Sequence, residues 1–213
     1  MKIIYQVQKE YPQKLNTIYA PPAKLYVLGD ESILNQPSIA IVGCRQATDY
    51  GKKVAFQFAY ELSKQGIVIV SGLARGIDYC AHLGAVKANG KTIAVLGSGL
   101  NHIYPKEHQG FCKEIIQKGG AIITEYEPQE KPLPTHFPAR NRIISGLSNG
   151  VLVVEAKQKS GTLITVDYTL DQGKDIFVIP GNITSMNSYS TNELIKQGAK
   201  LVTNVEDILE ELK

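Results

Sequence analysis

The sequence predicts an α/β protein of the doubly wound class, with a mostly parallel sheet and helices on both faces. The first observation is a series of short apolar runs, such as residues 39–42 and 67–70, without polar alternation. Such runs are typical of parallel strands that are buried on both faces. The second is that these runs alternate with longer amphipathic segments from Ser38 onwards. This alternation indicates right-handed strand–helix–strand crossovers.

The predicted elements follow one another without a repeat or a low-complexity tract. The predicted strands are residues 25–28, 39–42, 67–70, 92–96, 121–124, 151–154, 176–179 and 201–202. The predicted helices are residues 49–65, 79–88, 106–118, a segment through Arg142 and Leu147, 162–172, 192–197 and 205–212. We interpret residues 1–37 as a short N-terminal extension and residues 38–213 as one domain.

Composition restricts the class of protein more than its function. The chain has 213 residues, 43% of them hydrophobic and 20% charged, which is ordinary for a globular protein. A net charge of +3 is too small to indicate nucleic acid by itself. Three cysteines without a C-x-x-C pair favour reduced thiols, and no apolar run reaches transmembrane length. We therefore expect a cytoplasmic protein that makes no contact with a membrane.

The turn Ser71-Gly72-Leu73-Ala74-Arg75-Gly76-Ile77-Asp78 joins a buried strand to a helix. Glycines at such a turn let backbone N–H groups approach a ligand, and the helix N-terminus favours an anion. Arg75 adds a planar set of donors that matches a phosphate group. The turn therefore predicts either a phosphate-binding loop or a tight turn with a solvated arginine.

Glycine and polar residues also follow four other predicted strands, and a shared site explains them better than separate turns do. They are Gly43 and Arg45, Gly97-Ser98-Gly99, Glu155 with Ser160-Gly161-Thr162, and Pro180-Gly181. In open α/β sheets, ligands bind at the carboxyl ends of the strands. Ser160 or Thr162 could cap the following helix, or the same hydroxyl and amide groups could hold a phosphate or a ribose.

The segment from His136 to Ser148 carries the second concentration of cations. If Pro138 takes the first helical position, Arg140, Asn141 and Arg142 fall in the opening turn. Two arginines there, with Phe137 beside them, supply phosphate donors and an aromatic face for stacking, as in single-strand binders. The alternative is that Phe137 packs in the core and the arginines pair with Glu125 or Glu155.

Motifs for nucleotide chemistry and metal catalysis do not fit. The first turn, Gly43-Cys44-Arg45-Gln46-Ala47-Thr48, is not the G-x-G-x-x-G of dinucleotide-binding folds. Gly90-Lys91-Thr92 lies between a helix and a strand, which is the wrong order for a P-loop. The four histidines, at 82, 102, 108 and 136, have no metal-ligand spacing. We predict no catalytic residue, no metal site and no cofactor.

Taken together, these stretches resemble the DprA/Smf family of DNA-processing proteins. The resemblance is carried by residues 41–45, 71–78 with Ala81-His82, 94–100, Tyr104-Pro105, 136–148, 153–156, 160–165 and 178–181, with a lead-in at residues 21–30. It covers the family's Rossmann-like core without the flanking helical and winged-helix domains that many members carry. Cys44 stands where serine is usual in the family.

The resemblance implies an extended Rossmann-like domain that binds single-stranded DNA without catalysis, forms a homodimer and helps to load the RecA recombinase in natural transformation. By similarity, the DNA pocket is lined by Arg45, Arg75, Phe137, Arg140, Asn141, Arg142 and Thr162. Its backbone is shaped by Ser71, Gly72, Gly76, Gly99, Ser160 and Gly161. The match near residues 192–195 suggests the dimer region.

Two other functions remain open at this point. One is a nucleotide sensor or a nucleotide-monophosphate phosphoribohydrolase, in which Glu155 and Arg75 would imitate the catalytic pair of related Rossmann-like enzymes. Those enzymes resemble a P-G-G-x-G-T pattern, whereas this chain has Glu155-Ala156-Lys157-Gln158-Lys159-Ser160-Gly161-Thr162, which favours binding over hydrolysis. The other is a protein-interaction module with a vestigial pocket.

Overall fold

A computed structural model describes residues 1–212 of the chain as a single sheet flanked by helices. The strands are β1 Lys2–Tyr5, β2 Lys24–Gly29, β3 Ser38–Val42, β4 Val68–Ser71, β5 Thr92–Val95, β6 Ala121–Thr124, β7 Gly150–Val153, β8 Asp175–Val178 and β9 Lys200–Leu201. The α-helices are α1 Gln13–Asn16, α2 Asp49–Lys64, α3 Ile77–Lys87, α4 Gln109–Gln117, α5 His136–Leu147, α6 Gly161–Asp171, α7 Tyr189–Lys196 and α8 Glu206–Leu209. Short 3-10 turns span Glu31–Asn35, Lys106–His108, Met186–Ser188 and Glu210–Leu212.

The sheet confirms the predicted class. Its strand order is β1-β2-β6-β5-β4-β3-β7-β8-β9, and every neighbouring pair from β6 to β9 is parallel. The chain builds outwards from β3 to β6, then returns to place β7 on the other side of β3. The strand order therefore reverses between β3 and β7, and the crevice at their carboxyl ends is where such folds bind ligands.

Helices cover both faces of the sheet, because the strand side chains alternate between two cores. Ala40 and Val42 of β3 pack with residues of α5, such as Ile143. Ile39 and Ile41 face the opposite side and pack with residues of α2 and α3. Each face buries an apolar layer, which explains why the central strands read as continuous apolar runs.

The N-terminal segment, predicted as an extension, adds two strands to the same sheet. β1 pairs with β2, and β2 pairs with β6, both antiparallel. Ile4, Leu15 and Leu25 are fully buried in the core that also contains Ile143. The predicted boundary at residue 37 therefore coincides with no break in the sheet or the core.

Within residues 1–212, no helix combines the length and the apolar character that crossing a bilayer requires.

Candidate nucleic-acid interface

A cavity of about 800 Å³ lies at the carboxyl ends of β3, β4 and β7, where the strand order reverses. Eight of the residues predicted from the sequence line it. They are Arg45, Arg75, Phe137, Arg140, Asn141, Ser160, Gly161 and Thr162. Tyr104 and Lys157 line it as well, although neither was predicted from the sequence as a site residue. The volume lies within the range of about 300–1,000 Å³ that is typical of ligand sites.

One wall of the cavity combines a free guanidinium group with aromatic rings. Arg45 is exposed, and its guanidinium carbon lies 5.6 Å from the centre of the Phe137 ring. The Phe137 ring lies 5.5 Å from the Tyr104 ring at an interplanar angle of 52°. A cation over an aromatic face is attracted by the ring quadrupole, which holds Arg45 above Phe137. This wall offers phosphate donors next to surfaces on which a base can stack.

Arg75 lies at the rim of the cavity with an acidic partner that the sequence did not predict. Its Nε donates to Glu107 Oε1 at 2.5 Å, and both side chains are well exposed. The hydrogen bond from Arg75 holds the pKa of Glu107 below its usual value. Glu107 belongs to the short 3-10 turn before α4, so folding of that loop brings it to the cavity. A ligand phosphate would have to compete with this carboxylate for Arg75.

Arg140 has a different environment, because α5 begins at His136 and Pro138 is its third residue rather than its first. Arg140 is 4% exposed, and its Nη1 donates to the carbonyl oxygens of Gly72, at 2.9 Å, and of Val95. Burial lowers the pKa of Arg140 to about 10. The expected opening-turn position is therefore wrong, and Arg140 ties the ends of β4 and β5 together at the base of the cavity.

Asp78 completes this buried arrangement. Its carboxylate accepts hydrogen bonds from the backbone N–H groups of Gly72, at 3.1 Å, and Ala74, at 3.4 Å. Burial raises the pKa of Asp78, and the charge of Arg140 opposes that rise. A Cβ atom on Gly72 would lie 2.7 Å from Arg140 Nη2 and 2.8 Å from Asp78 Oδ2. Gly72 is therefore required because both side chains lie directly against its backbone.

Arg142 does not reach the cavity. Two residues along an α-helix are separated by about 200° of rotation, so Arg142 and Arg140 face different sides of α5. Arg142 donates to both carboxylate oxygens of Glu125, at 2.5 and 2.6 Å, and to the carbonyl oxygen of Ala20 at 2.9 Å. The pairing with Glu125 that the sequence left open is the arrangement found, and it anchors the N-terminal segment to α5.

Gly99 also lies outside the cavity, against the proline-rich loop. Its N–H donates to the carbonyl oxygen of Glu130 at 2.8 Å, and a Cβ atom would lie 2.0 Å from the carbonyl oxygen of Glu127. Ser71 and Gly76 support the turn and do not line the cavity. The Ser71 hydroxyl donates to the carbonyl oxygen of Ile41 at 2.7 Å, and Gly76 has a φ of +76°.

The N-terminus of α6 forms another wall of the cavity. Ser160 occupies the N-cap with extended backbone angles, but its side chain makes no capping hydrogen bond, so the capping alternative is not found for Ser160. The first N–H groups of a helix lack intrahelical acceptors and favour an anion. Lys157, whose Nζ lies 3.4 Å from Gln46 Oε1, adds a cation beside them. This wall therefore suits a phosphate group.

Glu155 is not available for catalysis in the cavity. It is 2% exposed, and its carboxylate accepts hydrogen bonds from the N–H and hydroxyl groups of Thr48 and from Asn187 Nδ2. Thr48 is the N-cap of α2, so Glu155 fixes the start of that helix. Of the two carboxylates considered from the sequence as alternative partners for the arginines, Glu155 pairs with none of them.

Two of the histidines, His82 and His136, have structural partners. His82 is fully buried between the Leu73 N–H, 3.3 Å from Nε2, and the Thr92 hydroxyl, 2.7 Å from Nδ1. His136 stacks on Tyr126, with 4.0 Å between the ring centres, and lies 3.4 Å from Glu130. Among residues 1–212, no group of three or more His, Cys, Asp or Glu residues is placed to hold a metal ion.

These features define a Rossmann-like ligand-binding domain with a cationic, aromatic site at the reversal of its strand order. Residues 2–213 match the family model of the DNA recombination-mediator protein A, and the chain belongs to this family, also known as DprA/Smf. It is 46% identical over 205 residues to the DNA processing protein DprA of Bacillus subtilis, covering 96% of this chain and 69% of the relative. It is 45% identical to protein Smf of Escherichia coli, covering 95% of this chain and 54% of the relative.

Solved structures support the same assignment. DprA from Streptococcus pneumoniae superposes with a TM-score of 0.93 at 43% identity, covering 99% of this chain and 74% of that chain. DprA from Helicobacter pylori superposes with a TM-score of 0.88 at 33% identity, covering 99% of this chain and 94% of that one. The Helicobacter structure describes a binding mode for single-stranded DNA. The molybdenum cofactor binding protein of Rippkaea orientalis, at 22% identity and a TM-score of 0.59, shares the fold alone.

Proposed function

We propose that this chain binds single-stranded DNA in the cavity between β3, β4 and β7, without catalysis. The observation that carries the proposal is the exposed Arg45 guanidinium over the Phe137 ring, 5.6 Å from its centre, in a cavity that the N-terminus of α6 also lines. Single-strand binders combine a cationic groove with aromatic stacking surfaces, which every base can use. The Helicobacter pylori relative, whose structure concerns the binding of single-stranded DNA, supports the same ligand class.

Within this proposal the thirteen residues predicted from the sequence have three different roles. Direct contact is assigned to Arg45, Arg75, Phe137, Asn141, Ser160, Gly161 and Thr162. Support of the cavity backbone is assigned to Ser71, Gly72, Gly76 and Arg140. Gly99 and Arg142 stabilise neighbouring segments. Lys157 and Tyr104 join the contacting group because they line the same cavity.

Fluorescence anisotropy of labelled oligo(dT), measured at several salt concentrations beside a matched duplex, tests the proposal. We expect single-strand affinity to fall with salt at a log–log slope of about −0.7 per phosphate neutralised. Arg45→Ala is expected to weaken binding and to reduce the magnitude of that slope by about 0.7. Lys113→Ala, which removes an exposed cation from α4, is the matched control. Wild-type affinity in Arg45→Ala would contradict the proposed site.

Family membership supports a wider role in which the bound strand is passed to the RecA recombinase during natural transformation by a homodimer of this chain. Of the predicted dimer region, Asn192 hydrogen-bonds to the backbone of Gly181 and Leu194 packs in the core, so both face inwards. Light scattering of the purified chain tests the dimer. RecA filament assembly on coated single strands, with and without the chain, tests the loading.

Nucleotide-monophosphate hydrolysis finds no support in the geometry. The carboxylate that would act, that of Glu155, is 2% exposed and accepts hydrogen bonds from Thr48 and Asn187. A buried carboxylate with its acceptor sites occupied does not reach a ligand in the main cavity. Release of free base from a nucleotide monophosphate, abolished by Glu155→Gln, would reverse this ranking.

A further inference from the structure

A second cavity, of about 540 Å³, lies beside the first at the carboxyl ends of β7 and β8. Its walls include Thr48, Tyr50, Pro180, Asn182, Ser185 and Ser188. The two cavities are neighbours along the sheet edge, since Asn187 Nδ2 donates to the Gln46 carbonyl oxygen and to Glu155 Oε2, both at 3.0 Å. Gln46 lines the first cavity and Glu155 lines the second.

The chemistry of this second cavity differs from that of the first. None of the residues that line it is an arginine or a lysine, and its one acid, Glu155, is buried and hydrogen-bonded. A phosphate group has no cation to bind there. Tyr50 is 53% exposed as a residue, and its hydroxyl donates to the Pro180 carbonyl oxygen at 3.2 Å, which fixes the position of the ring. The cavity therefore suits an uncharged, flat group.

We infer that the second cavity is a nucleobase subsite, in which one base of the bound strand stacks on Tyr50 while the phosphates remain in the first cavity. This inference rests on the proposed function, because the strand must be held at Arg45 and the α6 N-terminus. A stacked base needs only a π-face, so the subsite tolerates any sequence. The amide of Asn182 and the hydroxyl groups of Ser185 and Ser188 lie at the wall for contacts to base edges.

The absence of tryptophan from the sequence provides a direct test. Tyr50→Trp places a unique fluorophore in the subsite, and stacking of a base on the indole is expected to quench its emission. The titration uses oligo(dT) of graded length and a sugar–phosphate oligomer without bases. Quenching should saturate with the longer oligo(dT) and be absent with the abasic oligomer. Tyr5→Trp, at a position 47% exposed on the far edge strand β1, is the control and should stay unquenched.

Tyr50→Ala provides a second measurement that does not depend on the fluorophore. Loss of one base–aromatic stack is expected to weaken binding of long oligo(dT) about fivefold or more, and to leave short oligomers unaffected. The subsite would be overturned, with the proposed function intact, by three results together: normal oligo(dT) binding in anisotropy, no quenching in Tyr50→Trp, and unchanged affinity in Tyr50→Ala. No binding of oligo(dT) by the wild-type chain would overturn both.

Discussion

Replacing Arg140 with methionine is expected to destabilise the fold rather than remove a contact to DNA. Arg140 is 4% exposed and donates to the carbonyl oxygens of Gly72 and Val95. Without it, both carbonyl groups lose a charged donor, and the buried Asp78 carboxylate loses the cation that opposes its protonation. Each buried carbonyl oxygen that loses its donor costs about 1–3 kcal/mol, so the two together account for about 2–6 kcal/mol. For a chain of this size, Tm should fall by about 4–24 °C.

Thermal and urea unfolding followed by circular dichroism measure this effect. Arg45→Met is the matched control, because Arg45 lines the same cavity but is exposed, and its Tm should change by about 2 °C or less. In the double variant Asp78→Asn with Arg140→Met, the loss should be smaller than the sum of the two single losses. A Tm for Arg140→Met within the range of the control, together with weaker DNA binding, would refute the structural role.

Two further predictions concern ionisable groups, Glu107 and His82, whose surroundings could not be predicted from the sequence. Glu107→Gln should tighten oligo(dT) binding about two- to fivefold in anisotropy, because Arg75 is freed from its 2.5 Å ion pair. Glu114→Gln, which removes an acid paired with Lys87, is the control. Equal affinity in the two variants would exclude competition between Glu107 and DNA for Arg75. Burial lowers the pKa of His82 to about 3, below its unfolded value of about 6.5, so the unfolded state binds more protons and stability is lost as pH falls below 6.5. Urea unfolding should show a loss of about 2 kcal/mol between pH 7 and pH 5 from this group, and an unchanged pH dependence in His82→Gln would contradict the assignment.

The main site was predictable where its signals are local. Strands buried on both faces read as apolar runs, and the turn after each run carries the residues that reach the carboxyl edge of the sheet. Arg45, Arg75 and the Ser160-Gly161-Thr162 turn were located in this way. Gly72 was predicted as a site of close approach, and the structure shows that the approaching groups are the Arg140 and Asp78 side chains.

The orientation of the α5 side chains was not predictable from residue type. Successive residues of an α-helix are rotated by about 100°, and tertiary packing decides which side of the helix faces the sheet. Arg140 is therefore buried against β4 and β5, and Arg142 is paired with Glu125. The i, i+2 spacing puts the two arginines on different sides of the helix, but the side that each one faces depends on partners at the ends of β4, β5 and β6.

The sequence by itself determined the doubly wound class, the strand edge that carries the site and the family, because periodicity and turn chemistry are properties of neighbouring residues. Tertiary packing alone decided which cations are free, since Glu107 and Glu125 reach Arg75 and Arg142 from other elements, and backbone carbonyl oxygens at the ends of β4 and β5 hold Arg140. It also joined the N-terminal strands to the sheet and set Tyr50 beside Pro180. The ion pairs and aromatic contacts of the site join residues that are far apart in the sequence, and only the folded backbone brings them together.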